Sequence, residues 1–158
     1  MKKGFFSKLF FGSMVILFSV GALHAKKPVV PTAEEAKKHN VTVVTAQEAK
    51  SLADKGAIIC DTRKKLEYAK ERIKNAVSTL YKEKGGNKNR LANWDKTGEK
   101  FNIDAIKDKK DKDLVFYCNG ERCWRSYKAS VVAAEMGYKS YWLRGGIPAW
   151  KQAGYSVE

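Results

Sequence analysis

The chain has 158 residues and carries 31 basic and 17 acidic residues, which gives a formal net charge of +14 at pH 7. This length supports one domain with one hydrophobic core and argues against several domains. The basic excess is compatible with nucleic acid, anionic lipid or small anions as partners, and the export predicted below argues against nucleic acid.

Residues 1–25 have the order of an export signal. Three lysines come first, a mostly apolar run from Leu9 to Val20 follows, and small residues come after it. The apolar run is shorter than the roughly 20 residues of a bilayer span, so we predict a cleaved signal peptide and no membrane span in the mature chain. Cleavage after Ala22 and after Ala25 both fit, and we prefer Ala25.

Removal of the signal has two consequences for the mature chain. Three of the 31 basic residues and none of the 17 acidic residues lie in the signal, so 28 basic residues remain and the net charge is +11. The product is expected to be exported to the periplasm. Residues 26–40 hold two prolines and a charge run, which predicts a tether with little core of its own. The folded domain is expected at residues 41–158.

The first half of this domain alternates strands and helices. Thr45 and Glu48 match a capping box that begins a helix, and Gly56 ends that helix. The apolar run after it is typical of a strand that is buried on both faces. The predicted elements are a strand at 41–44, a helix at 45–55, a strand at 57–60, a helix at 64–70 and a strand at 76–77.

The second half continues the alternation after a polar stretch. The clearest strand of the chain is 114–117, and Gly137 is the expected end of the helix that follows it. Such alternation predicts an α/β fold with a mainly parallel sheet that helices cover on both faces. The predicted elements are an inserted loop at 79–100, a helical turn at 101–106, a strand at 114–117, a helix at 124–136, a strand at 140–143 and a helix at 147–153.

Cys118 stands at the end of the strand 114–117, before a loop that contains Gly120 and a predicted helix start. Backbone N–H groups in such a loop form a cradle for anions. The helix end and the neighbouring Arg122 and Arg125 favour a thiolate, which makes Cys118 the candidate nucleophile. Because ligands of parallel sheets bind at the carboxyl ends of strands, we expect Cys118 at one edge with four arginines: Arg63, Arg122, Arg125 and Arg144.

Five segments between Thr45 and Glu158 form a recognisable set: 58–63 (IICDTR), 67–68 (EY), 73–76 (IKNA), 114–118 (LVFYC) and 143–150 (LRGGIPAW). Together they resemble the rhodanese-like family, in which a strand similar to 58–63 ends in Asp-x-Arg. The last segment is similar to the family's most specific signature outside the catalytic loop. The resemblance implies a three-layer rhodanese-like α/β fold and a sulfurtransferase that needs no cofactor. In such an enzyme the loop cysteine accepts a sulfane sulfur as a persulfide and passes it to a nucleophile.

The resemblance also implies roles for individual residues. Cys118 is the expected catalytic residue, which takes sulfur from an anionic donor such as thiosulfate before a thiol accepts it. The residues expected to bind the substrate are Asn119, Gly120, Glu121, Arg122, Cys123, Trp124 and Arg125. Asp61, Arg63 and Arg144 are expected to support the site. For Asp61 and Arg63, a purely structural ion pair is an equal alternative.

Other chemistries of a loop cysteine fit the sequence less well. The phosphatase relatives of this fold need a Cys-x5-Arg loop, and here Trp124 occupies the position of that arginine. A cysteine hydrolase lacks its base, because His24 leaves with the signal and His39 lies in the tether. The three cysteines lack the spacing of a metal site, so no metal is predicted, and Cys60 is expected in the core.

Cys123 leaves two alternatives open. As a resolving thiol it would attack a persulfide on Cys118 and form a disulfide, which an oxidising compartment permits. As a packing residue beside Trp124 it would stay a free thiol. The sequence is also compatible with a thiol-disulfide redox protein that uses Cys118 and Cys123, and with a binding module that keeps the fold without catalysis.

Overall fold

The computed structural model describes residues 30–85 and 94–158. The predicted signal peptide, residues 1–25, lies outside the described residues. Among the helices that are described, none is long and apolar enough to cross a membrane. In chain order the elements are α1 (Ala33–Lys38), β1 (Val41–Val44), α2 (Ala46–Asp54), β2 (Ile58–Asp61), α3 (Lys65–Lys70), β3 (Val77–Ser78), β4 (Tyr81–Lys82), β5 (Lys100–Phe101), β6 (Asp113–Tyr117), α4 (Trp124–Glu135), β7 (Lys139–Leu143) and α5 (Gly146–Gln152).

Five strands form one parallel sheet in the order β1-β7-β6-β2-β3. Ala49 of α2 and Trp150 of α5 pack against one face of the sheet. Ala129 and Ala133 of α4 pack against the other face. The predicted α/β class with a mainly parallel sheet is therefore confirmed, and the carboxyl ends of all five strands meet at one edge.

The central strand β6 is buried on both faces, as its continuous apolar run predicts. Leu114 and Phe116 contact the cluster on the α4 side, whereas Val115 and Tyr117 contact the cluster under α2 and α5. All four side chains are fully buried. Because β6 is packed from both layers, the position of Cys118 directly after it is well defined.

Residues 33–38 differ from the prediction of a tether at 26–40. They form helix α1, in which the Thr32 side chain accepts a hydrogen bond of 3.1 Å from the Glu35 N–H. Ala36 is fully buried in a cluster with Val41 and Trp142. The prediction of little core is wrong here, because one alanine face with a capped start is enough to pack a short helix against the sheet.

The segment predicted as an inserted loop at 79–100 has more structure than expected. Strands β4 and β5 pair antiparallel within it, with Tyr81 opposite Phe101. The predicted helical turn at 101–106 starts later, where the Ile106 N–H donates to the Ile103 carbonyl at 2.8 Å. Residues 86–93 of the predicted loop lie outside the described residues.

A buried ionic cluster joins this insert to α4. The Lys128 side chain is only 1% exposed, and its Nζ lies 2.6 Å from Glu99 Oε1 and 3.3 Å from Glu83 Oε1. Glu99 Oε2 accepts hydrogen bonds from the Tyr81 hydroxyl at 2.5 Å and from Trp94 Nε1 at 3.0 Å. The pairing compensates the burial of charge, which would otherwise be costly.

Replacing Lys128 by methionine should destabilise the domain strongly. The substitution leaves the carboxylate of Glu99 buried without its cation, and breaking a buried pair in this way costs about 3 to 5 kcal/mol. Urea unfolding measures the loss, with Lys107→Met as an exposed control. Adding Glu99→Gln to Lys128→Met should recover part of the loss, because both partners are then neutral. Equal stability of the Lys128 and Lys107 variants would contradict the role of the cluster.

The stability of the domain should depend on pH through Glu99. Burial acts to raise the pKa of Glu99, but hydrogen bonds from Lys128, Tyr81 and Trp94 lower it below its ordinary value of 4.5. Its contribution is therefore present above pH 4.5 and is lost as the pH falls through the lowered pKa. Unfolding free energies from neutral to acidic pH should converge for the wild type and Glu99→Gln, and parallel profiles would contradict this.

Candidate active site

Cys118 lies at the carboxyl edge of the sheet, between the end of β6 and the start of α4. Its side chain is fully buried. The loop that follows contains a turn in which the Cys123 N–H donates to the Gly120 carbonyl at 2.9 Å, and Gly120 has a φ of +127°. The strand, loop and helix order that the sequence predicted around Cys118 is the order observed.

Cys118 and Cys123 form a disulfide, with their Cα atoms 6.1 Å apart. Of the two alternatives for Cys123, the structure therefore has the bonded one rather than the free thiol. Cys123 is half-buried, in contrast to Cys118. Cys60 is a free cysteine in the core, and burial raises the pKa of its thiol well above the ordinary range.

The turn after β7 packs directly against the cysteine loop. The Ile147 N–H donates a hydrogen bond of 3.0 Å to the Cys118 carbonyl. Gly146 has a φ of +61°, and a Cβ at this position would overlap the Cys118 carbonyl oxygen and the Gly120 nitrogen. The sequence showed Gly146 only as part of the signature 143–150, whereas the structure requires glycine there because two backbones touch.

Glu67 of α3 holds the loop from another side, a role that the sequence did not reveal. Its carboxylate accepts a hydrogen bond from the Asn119 side chain and lies 3.4 Å from Arg125 Nη1. Burial acts to raise the pKa of Glu67, but the Asn119 side chain, the Lys64 backbone N–H and Arg125 lower it. Arg125 is thus partly neutralised by Glu67, and Asn119 has a structural partner.

Asp61 and Arg63 bind each other at the end of β2. Arg63 Nη2 lies 2.7 Å from Asp61 Oδ2, and both side chains are almost fully buried. The Tyr117 hydroxyl donates to Asp61 Oδ2 at 2.5 Å and accepts from the Ile73 N–H at 3.1 Å. These bonds favour the structural alternative for Asp61 and Arg63, since they connect β2, β6 and the segment after α3.

The cysteine loop is flanked by two pockets. The first measures about 490 Å³ and is lined by residues 119–125 together with Glu83. The second measures about 560 Å³ and is lined by Arg144, Glu121 and residues at the start of α2. Within the described residues the Arg144 Nε atom is buried and has no hydrogen-bond partner. Glu121 lines both pockets, so the loop separates them.

The four arginines predicted at the carboxyl edge follow β2, β6 and β7, but they do not gather in one pocket. Arg63 pairs with Asp61, Arg125 lies against Glu67, and Arg144 lines the pocket on the other side of the loop. Arg122 is exposed and lines the pocket of about 490 Å³. Two of the four, Arg63 and Arg125, thus have carboxylate partners, and Arg122 and Arg144 line different pockets.

Trp124 contributes to this pocket and to the core. It is only 3% exposed and packs edge to face against Tyr127, with ring centroids 5.8 Å apart. This residue occupies the arginine position of a Cys-x5-Arg loop. The oxyanion clamp of that loop is therefore replaced here by a packed aromatic ring.

The fold and the site define an α/β domain with a loop cysteine at the carboxyl edge of a parallel sheet. Residues 45–153 match the family model of the rhodanese-like domain. Because this match spans more than half of the chain, the chain belongs to the rhodanese-like family. Its fold is of the sulfurtransferase type. Among curated proteins, the comparison found no match.

Solved structures give the same fold. The BH2092 protein from Bacillus halodurans is 26% identical, with a TM-score of 0.55 over 80% of this chain and 86% of that chain. A possible tyrosine phosphatase of unknown function from Rhodopseudomonas palustris is 24% identical, with a TM-score of 0.53 over 82% and 96%. A thiosulfate sulfurtransferase from Pseudomonas aeruginosa is 22% identical, with a TM-score of 0.53 over 78% of this chain and 21% of that chain.

Replacing Gly146 by alanine should cost more stability than replacing Gly154. Both glycines have a positive φ, and a left-handed alanine costs about 1 to 2 kcal/mol at either position. An alanine Cβ meets open space at residue 154 but overlaps the Cys118 backbone at residue 146. Urea unfolding of both variants measures the difference. An equal loss of stability would contradict the close contact between Gly146 and the cysteine loop.

Proposed function

We propose that the protein is a sulfurtransferase in which Cys118 accepts a sulfane sulfur as a persulfide. The observation that carries the proposal is the position of Cys118 after the central strand β6 and before α4, in a domain of the rhodanese-like family. A cysteine in such a loop lies beside backbone N–H groups and a helix start, which favour the thiolate. No cofactor takes part in the proposed reaction.

The first step is attack of the reduced Cys118 thiolate on the outer sulfur of an anionic donor such as thiosulfate. The bond between the two donor sulfurs breaks, and sulfite leaves with the bonding electron pair. Cys118 then carries the outer sulfur as a persulfide. Arg122 is the exposed cation in the adjoining pocket and is the proposed contact for the donor's negative charge.

The persulfide then has two routes. An external thiol can accept the outer sulfur and restore the Cys118 thiol. Alternatively, the Cys123 thiolate attacks Cys118 Sγ, expels hydrosulfide and forms the Cys118–Cys123 disulfide. The bond between these two cysteines in the structure favours the second route. Two external thiols then reduce the disulfide and leave as a disulfide of their own.

Export to the periplasm is part of this proposal. A disulfide persists in an oxidising compartment and is reduced in the cytosol. The oxidised protein cannot accept sulfur, because both sulfurs of the loop are bonded to each other. Turnover in that compartment therefore depends on a supply of thiols.

Cys118→Ser should abolish sulfur uptake. A serine hydroxyl does not ionise under these conditions and cannot hold a sulfane sulfur. In the Cys123→Ser background, which removes the internal attacker, intact mass spectrometry of the reduced protein after incubation with thiosulfate should detect one added sulfur when Cys118 is present and none when Cys118→Ser is added. Cys60→Ser in the same background is the matched control and should keep the added sulfur, since Cys60 is buried in the core. Uptake without Cys118, or no uptake with it, would contradict the proposal.

Cys123→Ser should separate the two routes. Without the second thiol, the persulfide on Cys118 has no internal attacker and should persist. The wild type should instead release hydrosulfide and lose two free thiols when no external thiol is present. Thiol counting and hydrosulfide detection over time measure both effects. Equal persulfide lifetimes in the two proteins would exclude the route through Cys123.

A further inference from the structure

The two sulfurs of the disulfide differ in their access to solvent. Cys118 is 0% exposed, whereas Cys123 is half-buried. Cys123 lines the open pocket of about 490 Å³, and Cys118 does not. In thiol-disulfide exchange, access helps to decide which of the two sulfurs is attacked.

The burial of Cys118 is accompanied by backbone contacts with the turn after β7. The turn after β7 covers its backbone, through the hydrogen bond of the Ile147 N–H and the close approach of Gly146. Tyr117, the last residue of β6, directly precedes Cys118 and is fully buried in the core. These contacts bury the Cys118 backbone against the turn after β7, so the more accessible sulfur of the disulfide is that of Cys123.

Some of the charged side chains that line the pocket beside Cys123 are paired with an opposite charge, and others are exposed. Glu83 lies 3.3 Å from Lys128 Nζ, and Arg125 lies 3.4 Å from Glu67. Arg122 and Glu121 are exposed at the pocket wall. A thiolate that enters therefore meets an exposed guanidinium and an exposed carboxylate in the same pocket, which favours approach past Arg122 rather than past Glu121.

We propose that the reducing thiol binds in the pocket lined by Glu83 and residues 119–125, and that it attacks the sulfur of Cys123. A bond forms between the external sulfur and Cys123 Sγ, and the disulfide bond breaks with its electron pair going to Cys118. Cys118 is released as a thiolate, ready for the next sulfur donor. A second thiol removes the first from Cys123 as a disulfide and leaves the Cys123 thiol. The inference rests on the proposed resolving role of Cys123.

The experiment traps the first intermediate. Oxidised wild-type protein is incubated briefly with less than one equivalent of glutathione and is then quenched with excess N-ethylmaleimide, so that the released sulfur is alkylated before a second exchange. Trypsin cleaves after Arg122, which lies between the two cysteines, and the two modifications therefore fall on separate peptides. The expected result is glutathione on Cys123 and N-ethylmaleimide on Cys118. Glutathione on Cys118 would overturn the inference.

The same experiment keeps this inference distinct from the sulfurtransferase proposal. Glutathione on Cys118 leaves the uptake of sulfur by the reduced protein untouched, because uptake is measured without the disulfide. Oxidised protein that contains two free loop thiols would overturn both the inference and the route through Cys123. A monothiol variant of thioredoxin in place of glutathione tests a protein thiol as the source, and its adduct should also lie on Cys123.

Arg122→Gln tests the pocket as the entry route. The substitution removes the attraction between Arg122 and an anionic thiol. Reduction by mercaptoethanesulfonate should therefore slow about threefold at low salt, as expected for an exposed ion pair. Reduction by the cationic thiol cysteamine should not slow, and Lys107→Gln should change neither rate because Lys107 lies at the other end of the sheet, before β6. Equal slowing of both thiols, or no slowing of the anionic thiol, would contradict an approach past Arg122.

Discussion

The hydrogen bond from the Ile147 N–H to the Cys118 carbonyl joins the two turns at the centre of the sheet edge. It exists because β6 and β7 are paired neighbours, so the loops after them begin side by side. Gly146 allows the two backbones to touch. The cysteine loop is thereby held against the last helix, and Glu67 holds its opposite side through Asn119.

Some of the basic side chains near the cysteine loop are paired with carboxylates inside the fold. The formal charge of the chain is +14, yet two of the cations near the cysteine loop have carboxylate partners. Arg125 lies against Glu67, and Lys128 lies between Glu83 and Glu99. The proposed donor contact therefore depends on Arg122 and on loop N–H groups, and sulfur chemistry rather than charge density would select the substrate.

The sequence predicted the elements that carry strong local signals. The apolar run of β6, the Thr45 capping box and the rhodanese-like signatures indicated the parallel sheet and the place of Cys118. Helix α1 was missed, because a single buried alanine leaves no periodic pattern. The Lys128 cluster was missed as well, since a lysine among other lysines gives no sign that its partners lie 29 and 45 residues away in sequence.

By itself the sequence determined the fold class, the candidate nucleophile and the presence of a second cysteine five residues later. Spacing along the chain left open whether Cys123 faces Cys118 or packs beside Trp124. The tertiary structure has the disulfide. The cysteine loop lies between the glycine turn after β7 and the start of α4, and the two Cα atoms are 6.1 Å apart. It also decided which sulfur is accessible, since burial of Cys118 depends on contacts between segments that are distant in sequence.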